Sequence, residues 1–231
     1  GAPPVSSDAC VGVDGDGLVH LAFASSEGAV GYMDSRRRGE RLRAWWAWGR
    51  GPEELAYADV TNALYEATGA DALFATSGAT ATVDGAVALP YVVRVGSETH
   101  VRVVGARGGR LEWVSDPLAG GDGVLLDETT VSVWDGRLVA CCRIQGFEGR
   151  GSGARYLAWG DGQSWEGGRL WELEDPGCNA RLVRDLLVHP HSRRARRSAR
   201  KKIREKPRAQ PLVLFKDRMV SNCLVRLRKT L

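Results

Sequence analysis

Three of the Asp-Gly dipeptides, those at residues 16–17, 84–85 and 135–136, constrain the fold of this chain more than any other feature. Each is followed by an apolar run, and Trp45, Trp113 and Trp165 follow the three aspartates by 29, 29 and 30 residues. An Asp-Gly dipeptide that leads into an apolar run is typical of a β-hairpin. Repeated units of this size with several short strands are typical of propeller blades. The sequence therefore predicts an all-β fold of three matched units.

A fourth unit is predicted to begin near residues 211–215, where another apolar run occurs. If this unit keeps the same layout, its tryptophan would fall beyond Leu231, so we expect the sequence to stop partway through a blade. Between the first two turns, residues 51–66 have a composition that permits a helix. We predict a loop there with at most a short helix.

The composition supports short strands and excludes some classes of protein. The chain has 231 residues, 43% of them hydrophobic, with 29 glycines and 8 tryptophans. No apolar run approaches the roughly 20 residues that a membrane-spanning helix needs, and the first residues lack the pattern of a signal peptide. The five cysteines form no CxxC pair, which argues against a structural zinc site and a disulfide framework. We expect no metal and no cofactor.

The charge is divided unevenly along the chain. Residues 181–231 hold 17 Lys+Arg and 3 Asp+Glu, whereas residues 1–180 hold 15 and 25. Ten of the sixteen residues in Arg193–Arg208 are basic, which predicts an exposed, flexible insertion over residues 192–210. This run could contact an acidic surface or another polyanion, but it lacks the interleaved aromatic residues of a single-strand nucleic-acid site. An out-of-frame or degraded sequence after residue 184 would also explain the composition.

A carboxylate and a guanidinium stand at the ends of two neighbouring predicted strands. Glu128 opens a β-rich run, the turn at 135–136 follows, and the strand 137–142 leads to Arg143. An arginine in this position could hold an anionic ligand, because its planar guanidinium meets a carboxylate bidentately. The same two residues could equally form a surface ion pair.

Several motifs resemble those of the sialidase superfamily. Residues 162–165, Gly-Gln-Ser-Trp, are similar to the second half of the sialidase Asp-box, Ser-x-Asp-x-Gly-x-x-Trp, with Ala158 and Gly160 in place of Ser and Asp. Residues 84–91 resemble an Asp-Gly-x-Leu-x-x-Pro strand of the same enzymes. In bacterial sialidases and trypanosomal trans-sialidases, a Glu precedes an essential Arg by about 15 residues, as Glu128 precedes Arg143. Residues 175–184 and 211–227 resemble the segments that follow.

The resemblance implies a six-bladed sialidase-type β-propeller, of which about three and a half blades are present, as one incomplete domain over residues 1–231. It also implies an exo-α-sialidase-type glycoside hydrolase that removes or transfers terminal sialic acid from glycoconjugates, with an extracellular or cell-surface location. Family members clamp the sialate carboxylate with three arginines and use a Glu-activated Tyr as nucleophile and an Asp as acid/base. Carried over, Glu128 is the base, and Arg143 and Arg218 are the second and third clamp arginines.

The remaining members of that site have no match in this sequence. Residues 2–5 stand where the first clamp arginine would be, and no tyrosine follows Tyr156. Glu27 and Asp34 are the candidate substitutes for the acid/base Asp, and Arg226 is a poorer match than Arg218 for the third arginine. An alternative alignment on Trp134 puts Val133 at the place of the catalytic Glu. We therefore predict weak or no hydrolysis, with a non-catalytic sialoglycan-binding protein on the same fold as the alternative.

Overall fold

The computed structural model describes residues 6–26, 41–121, 123–145, 154–172, 180–183, 186–190 and 222–226. Nearly all regular structure in these residues is β-strand, arranged in four antiparallel sheets that follow one another along the chain. Blade 1 contains β1 (Ser6–Val13), β2 (Val19–Ser25), β3 (Arg43–Gly49) and β4 (Ala56–Asp59). Blade 2 contains β5 (Ala72–Ala75), β6 (Ala81–Val83), β7 (Ala86–Val95), β8 (Glu98–Arg107) and β9 (Arg110–Val114). Blade 3 contains β10 (Leu126–Trp134), β11 (Arg137–Ile144), β12 (Ala154–Gly160) and β13 (Trp165–Glu172).

The fourth sheet is incomplete and begins earlier than the sequence indicated. It consists of β14 (Arg181–Val183), β15 (Leu186–Pro190) and β16 (Asn222–Arg226). The predicted start at residues 211–215 lies outside the described residues, as does the basic run Arg193–Arg208. Three full sheets and one partial sheet confirm the predicted all-β fold of about three and a half blades.

Two of the three Asp-Gly dipeptides form the predicted two-residue hairpin turns. At residues 84–85 and 135–136 both the aspartate (φ 48° and 55°) and the glycine (φ 84° and 76°) are left-handed, which is the geometry that closes a tight hairpin without splaying its strands. The first turn differs, because residues 14–18 form a longer loop in which only Gly17 has a positive φ. The hairpin prediction is thus confirmed at all three places, with a different turn at the first.

The predicted match between the three units is wrong for the first one. Trp113 and Trp165 lie on the outer strands β9 and β13 of their blades, but Trp45 lies on β3, inside the outer strand β4. The long connection over residues 26–42 gives Trp45 the same spacing by coincidence. Residues 51–66 contain β4, which pairs with β3, and the start of the helix α1 (Thr61–Thr68). That strand is held by sheet pairing, which composition does not reveal.

Apolar side chains fill the spaces between successive blades. One buried cluster joins residues of blade 1, such as Trp46, to residues of blade 2, such as Leu89. A second cluster joins blade 2 to blade 3, with Val103 and Leu138 among its members. Full burial of each such aliphatic side chain contributes roughly 1.5–3 kcal/mol to folding. These two interfaces make the three sheets one packed body.

Hydrogen bonds also link blade 2 to the first strands of blades 1 and 3. The Thr80 hydroxyl donates to the carbonyl of Val11 in blade 1 at 2.8 Å, and the Thr76 hydroxyl donates to the carbonyl of Thr129 in blade 3 at 2.7 Å. The backbone N–H of Val131 donates to a carbonyl of the same blade 2 connection at 2.8 Å. The connection between β5 and β6 therefore bonds to the first strands of both neighbouring blades.

The turn that resembles half of an Asp-box is closed by an aspartate one residue away from the expected position. Gly160 occupies the aspartate position of the motif, but the carboxylate of Asp161 accepts hydrogen bonds from the backbone N–H groups of Gln163 (2.9 Å) and Ser164 (2.7 Å). These bonds lower the pKa of Asp161. The Trp165 indole then donates to a carbonyl of the preceding blade, that of Asp116, at 3.1 Å.

Candidate functional site

The sequence-predicted residues Glu128 and Arg143 are in contact. Arg143 Nη1 lies 2.6 Å from Glu128 Oε2, and the two side chains are 31% and 21% exposed. The turn at 135–136 sets this pairing, because β10 and β11 run antiparallel in one register from the turn as far as Thr129 and Cys142. Glu128 and Arg143 are the next residues along that ladder. Their 15-residue spacing therefore follows from the hairpin, and the pair is partly enclosed, unlike a fully exposed surface pair.

A β-bulge places two acidic residues of β10 opposite Arg143 in the strand register. The register shifts between Leu126 and Thr129, so Asp127 and Glu128 together stand opposite the single residue Arg143. Bulges of this kind bend a strand and redirect its side chains, and they are common beside functional sites. Asp127 is buried, at 3% exposure, whereas Glu128 remains accessible.

A second arginine lies beside Arg143 on the other flanking strand. Arg155 of β12 pairs directly with Arg143 of β11, and its whole residue is only 1% exposed. Directly opposed residues share one face of an antiparallel sheet, so the two guanidinium-bearing side chains leave the sheet on the same side. The sequence analysis did not single out Arg155. Its position opposite Arg143 depends on the register of β11 and β12, which no local motif specifies.

Another acidic residue that the sequence analysis did not single out, Asp8, lies on β1. Asp8 lies in a bulge between Ser7 and Cys10 and has a left-handed backbone, with φ of 51°. Burial raises the pKa of Asp8, and the negative charge of Glu128 raises it further. Non-glycine residues in this backbone region are uncommon and concentrate at functional sites. No sequence signal marked Asp8, because the bulge is not visible locally.

Other predicted site residues are not brought into this cluster by the described structure. Arg218, Glu27 and Asp34 lie outside the described residues. Arg226 ends β16, where the backbone alone is described. In the alternative alignment Val133 would replace the catalytic Glu, but Val133 is an exposed residue beside the hairpin turn, at the far end of β10 from Glu128.

The described tyrosines are poorly placed to act as nucleophiles. Tyr65, Tyr91 and Tyr156 are buried, and burial raises the pKa of each hydroxyl. Tyr57 lies on the outer strand of blade 1. Within the described part of the chain, no cluster of three or more His, Cys, Asp or Glu side chains could hold a metal ion, and no helix is long and apolar enough to cross a membrane.

Comparison with known proteins defines the fold of this chain. No protein-family model and no curated protein matches the sequence. The Hadza microbial sialidase Hz136 aligns with a TM-score of 0.56 and 15% identity over 80% of this chain and 40% of its own. Trypanosoma rangeli sialidase in complex with sialic acid aligns with a TM-score of 0.56 and 16% identity over 81% of this chain and 34% of its own. A protein of unknown function from Dyadobacter fermentans aligns with a TM-score of 0.58 and 16% identity, over 83% and 59%.

These alignments place the chain among proteins with a sialidase-like β-propeller fold. The chain spans 34–59% of the length of the three structures, which agrees with an incomplete propeller. At 15–16% identity the likeness concerns the fold alone.

Proposed function

We propose that this chain carries part of a sialidase-type glycoside hydrolase site that recognises terminal α-linked sialic acid. The observation that supports the proposal most directly is the 2.6 Å contact between Glu128 and Arg143, at the position and spacing that the sialidase resemblance implies. The sialidase-like fold supports it independently. In this proposal the natural partners of the chain are sialylated glycoconjugates.

Arg143 would hold the carboxylate of the sugar. A guanidinium can donate two parallel N–H···O bonds to a carboxylate and stays charged at any working pH. Its partner Glu128 contacts the guanidinium from one side and leaves the side chain 31% exposed. The adjacent Arg155 adds positive charge at the same face of the sheet. Arg218, as the third clamp arginine, remains part of this proposal.

Glu128 would act as a base toward a hydroxyl group. A carboxylate can accept a proton from a hydroxyl group that lies within hydrogen-bond distance. In the enzymes that this chain resembles, that hydroxyl belongs to a tyrosine nucleophile. Because Tyr65, Tyr91 and Tyr156 are buried and Tyr57 lies on the outer strand of blade 1, the tyrosines among the described residues are poorly placed for this step. Hydrolysis by this chain should therefore be slow.

The same observation favours a second candidate, a protein that binds sialoglycans without cleaving them. Arg143 can hold a carboxylate whether or not a nucleophile is present. The two candidates share the ligand and differ only in the fate of the glycosidic bond. They are separated by measuring binding and turnover on the same protein.

The experiment compares the full chain with Arg143→Lys and Glu128→Gln. Binding of the α-methyl glycoside of N-acetylneuraminic acid is followed by saturation-transfer NMR, and hydrolysis by release of a fluorophore from an α-sialoside. Arg137→Lys is the matched control, because Arg137 lies on the same strand and contacts Glu166 at the same distance, 2.6 Å, on an exposed surface. Both candidates predict that Arg143→Lys weakens binding about tenfold or more, while Arg137→Lys leaves it unchanged.

The outcomes divide the candidates clearly. Turnover that Glu128→Gln abolishes supports the hydrolase, and saturable binding without turnover supports the binding protein. If the unmodified chain binds no sialoside, or if Arg143→Lys binds as well as Arg137→Lys does, the proposed site is wrong. Binding that collapses with added salt but survives Arg143→Lys would point instead to the basic run Arg193–Arg208.

A further inference from the structure

Blade 2 is bonded directly to the part of β10 that follows the bulge at Glu128. The hydroxyl group of Thr76, in the connection between β5 and β6, donates to the Thr129 carbonyl at 2.7 Å. Gly78 packs so closely on the same carbonyl that a Cβ at this position would overlap it. Thr76 is fully buried, and its own backbone N–H donates to the Pro90 carbonyl of β7 at 3.0 Å. Thr76 is therefore a fixed support for β10.

A second hydroxyl group extends this support across the bulge. Thr129 is only 1% exposed, and its Oγ1 donates to the backbone carbonyl of Asp127 at 2.7 Å. Asp127 and Glu128 are the two residues of the bulge, and a bulge interrupts the regular ladder of its strand pair. The position of these residues therefore depends on bonds such as this one. The two hydroxyl groups form one chain of hydrogen bonds that runs from blade 2 to the residue before Glu128.

We propose that Thr76 and Thr129 are positioning residues, which hold Glu128 in contact with Arg143 and thereby let blade 2 control the ligand affinity of the blade 3 site. Both threonines are buried, so they act through Glu128 and not on the ligand itself. The effect on affinity rests on the proposed function, since it concerns the ligand of the same site. The effect on the contact between Glu128 and Arg143 can be measured without a ligand.

The contact between Glu128 and Arg143 is sensitive to the position of the bulge. The distance of 2.6 Å between Oε2 and Nη1 is that of a charge-assisted hydrogen bond, and hydrogen bonds weaken steeply when they bend. Thr129 is the ladder residue next to the bulge on the side of the hairpin turn. Without the Thr76 hydroxyl, the Thr129 carbonyl loses a buried donor, and the bulge beside it can relax away from Arg143.

The first test follows the guanidinium group of Arg143 by ¹H–¹⁵N NMR of the ligand-free full chain, with Arg143→Lys to assign its signals. Thr76→Val removes the hydroxyl group at nearly constant volume, whereas Thr76→Ser keeps it. Thr80→Val is the matched control, because Thr80 lies on the same connection and its hydroxyl donates to a carbonyl of blade 1, that of Val11, at 2.8 Å. This control removes a bond to blade 1 in place of the bond to β10.

We expect the Nη hydrogens of Arg143 to exchange with solvent about fivefold faster in Thr76→Val, a factor that corresponds to the net loss of one typical hydrogen bond. Thr76→Ser and Thr80→Val should exchange at the rate of the unmodified chain. An unchanged rate in Thr76→Val, or an equal increase in Thr80→Val, overturns the inference. If Thr76→Val does not fold, Thr129→Val and Thr129→Ser decide in the same way, because they remove and keep the second hydroxyl group.

The second test measures the affinity for the α-methyl glycoside of N-acetylneuraminic acid by calorimetry. Thr76→Val should weaken binding about fivefold, and Thr76→Ser should restore it. In a Glu128→Gln background, Thr76→Val should have little further effect, because it acts through the position of Glu128. Equal weakening in both backgrounds would show a general effect on the fold and would contradict the inference.

The two tests separate this inference from the proposed function. If the unmodified chain binds no sialoside but the exchange of the Arg143 hydrogens responds as expected, the proposed function fails, whereas the positioning role of Thr76 stands. If sialosides bind but Thr76→Val changes neither exchange nor affinity, the proposed function stands and the positioning role fails.

Discussion

Replacement of Asp14 by asparagine is predicted to destabilise the fold strongly, although only one oxygen becomes an NH₂ group. Asp14 directly follows β1 and is buried. Its Oδ1 accepts the backbone N–H groups of Asp16 and Leu18, each at 2.9 Å. Its Oδ2 accepts the backbone N–H of Gly108 at 2.8 Å and faces Nε2 of His20 at 2.9 Å. The carboxylate thus serves four donors at once.

The direction of the His20 bond is fixed by a tryptophan. The indole of Trp46 can only donate, and its Nε1 lies 3.2 Å from His20 Nδ1, so Nδ1 must accept and Nε2 must carry the proton toward Asp14. An asparagine that keeps its oxygen in place of Oδ1 turns its NH₂ toward two donors, from His20 and Gly108. Each buried donor left without an acceptor costs about 1–3 kcal/mol, so the expected loss is about 2–6 kcal/mol.

This loss should depend on pH in a defined direction. Burial alone would raise the pKa of Asp14, but hydrogen bonds from Gly108, His20, Leu18 and Asp16 together outweigh burial and hold the pKa well below its ordinary value. A carboxyl whose pKa is lowered on folding stabilises the native state above its unfolded pKa of about 4, and this contribution is lost as pH falls toward the folded pKa. The difference between the unmodified chain and Asp14→Asn should therefore narrow below about pH 4.

Urea unfolding followed by tryptophan fluorescence and circular dichroism measures the change. Asp16→Asn is the matched control, because Asp16 is two residues away and its carboxylate is half-exposed, paired with Arg107. Such an exposed pair contributes at most about 1 kcal/mol. If Asp14→Asn costs no more than Asp16→Asn, the assigned donors and acceptors around His20 are wrong.

Two further predictions concern the space between blades and the buried thiols. Gly78→Ala should destabilise the fold by about 1–3 kcal/mol, because its Cβ would overlap the backbone carbonyl of Thr129 in the next blade. Gly51→Ala, which meets open space, should be nearly neutral in the same urea assay, and equal midpoints for the two variants would contradict the packing. Burial raises the pKa of the Cys10 and Cys142 thiols to about 12, so both should resist iodoacetamide at pH 8 until the protein unfolds. Rapid native labelling of either cysteine, detected by peptide mass spectrometry, would refute their burial.

The sequence could predict the Glu128–Arg143 contact because one local feature determines it. The turn at 135–136 fixes the register of β10 and β11, and a two-residue hairpin then places residues 15 apart opposite each other. The all-β fold was predictable for a related reason, since turns and apolar runs are local signals. Neither prediction depends on contacts with the other blades.

The rest of the site depends on contacts between distant parts of the chain. The bulge at Asp8 is not encoded by any turn residue. Arg155 reaches Arg143 only through the register of β11 and β12. The prediction for Trp45 was wrong because an equal number of residues after the Asp-Gly turn does not place it on the equivalent strand of its blade.

The bonds around Asp14 also have a consequence for how the protein opens. Gly108 lies in the turn between β8 and β9 of blade 2, and the N–H of Gly15 donates to the carbonyl of Gly85 in the turn between β6 and β7. Opening either of these turns breaks bonds that hold the first hairpin of blade 1. The amide hydrogens of the two blades should therefore exchange with solvent through shared opening events. We therefore expect blades 1 and 2 to behave as one cooperative unit in hydrogen exchange, even though each is a separate sheet.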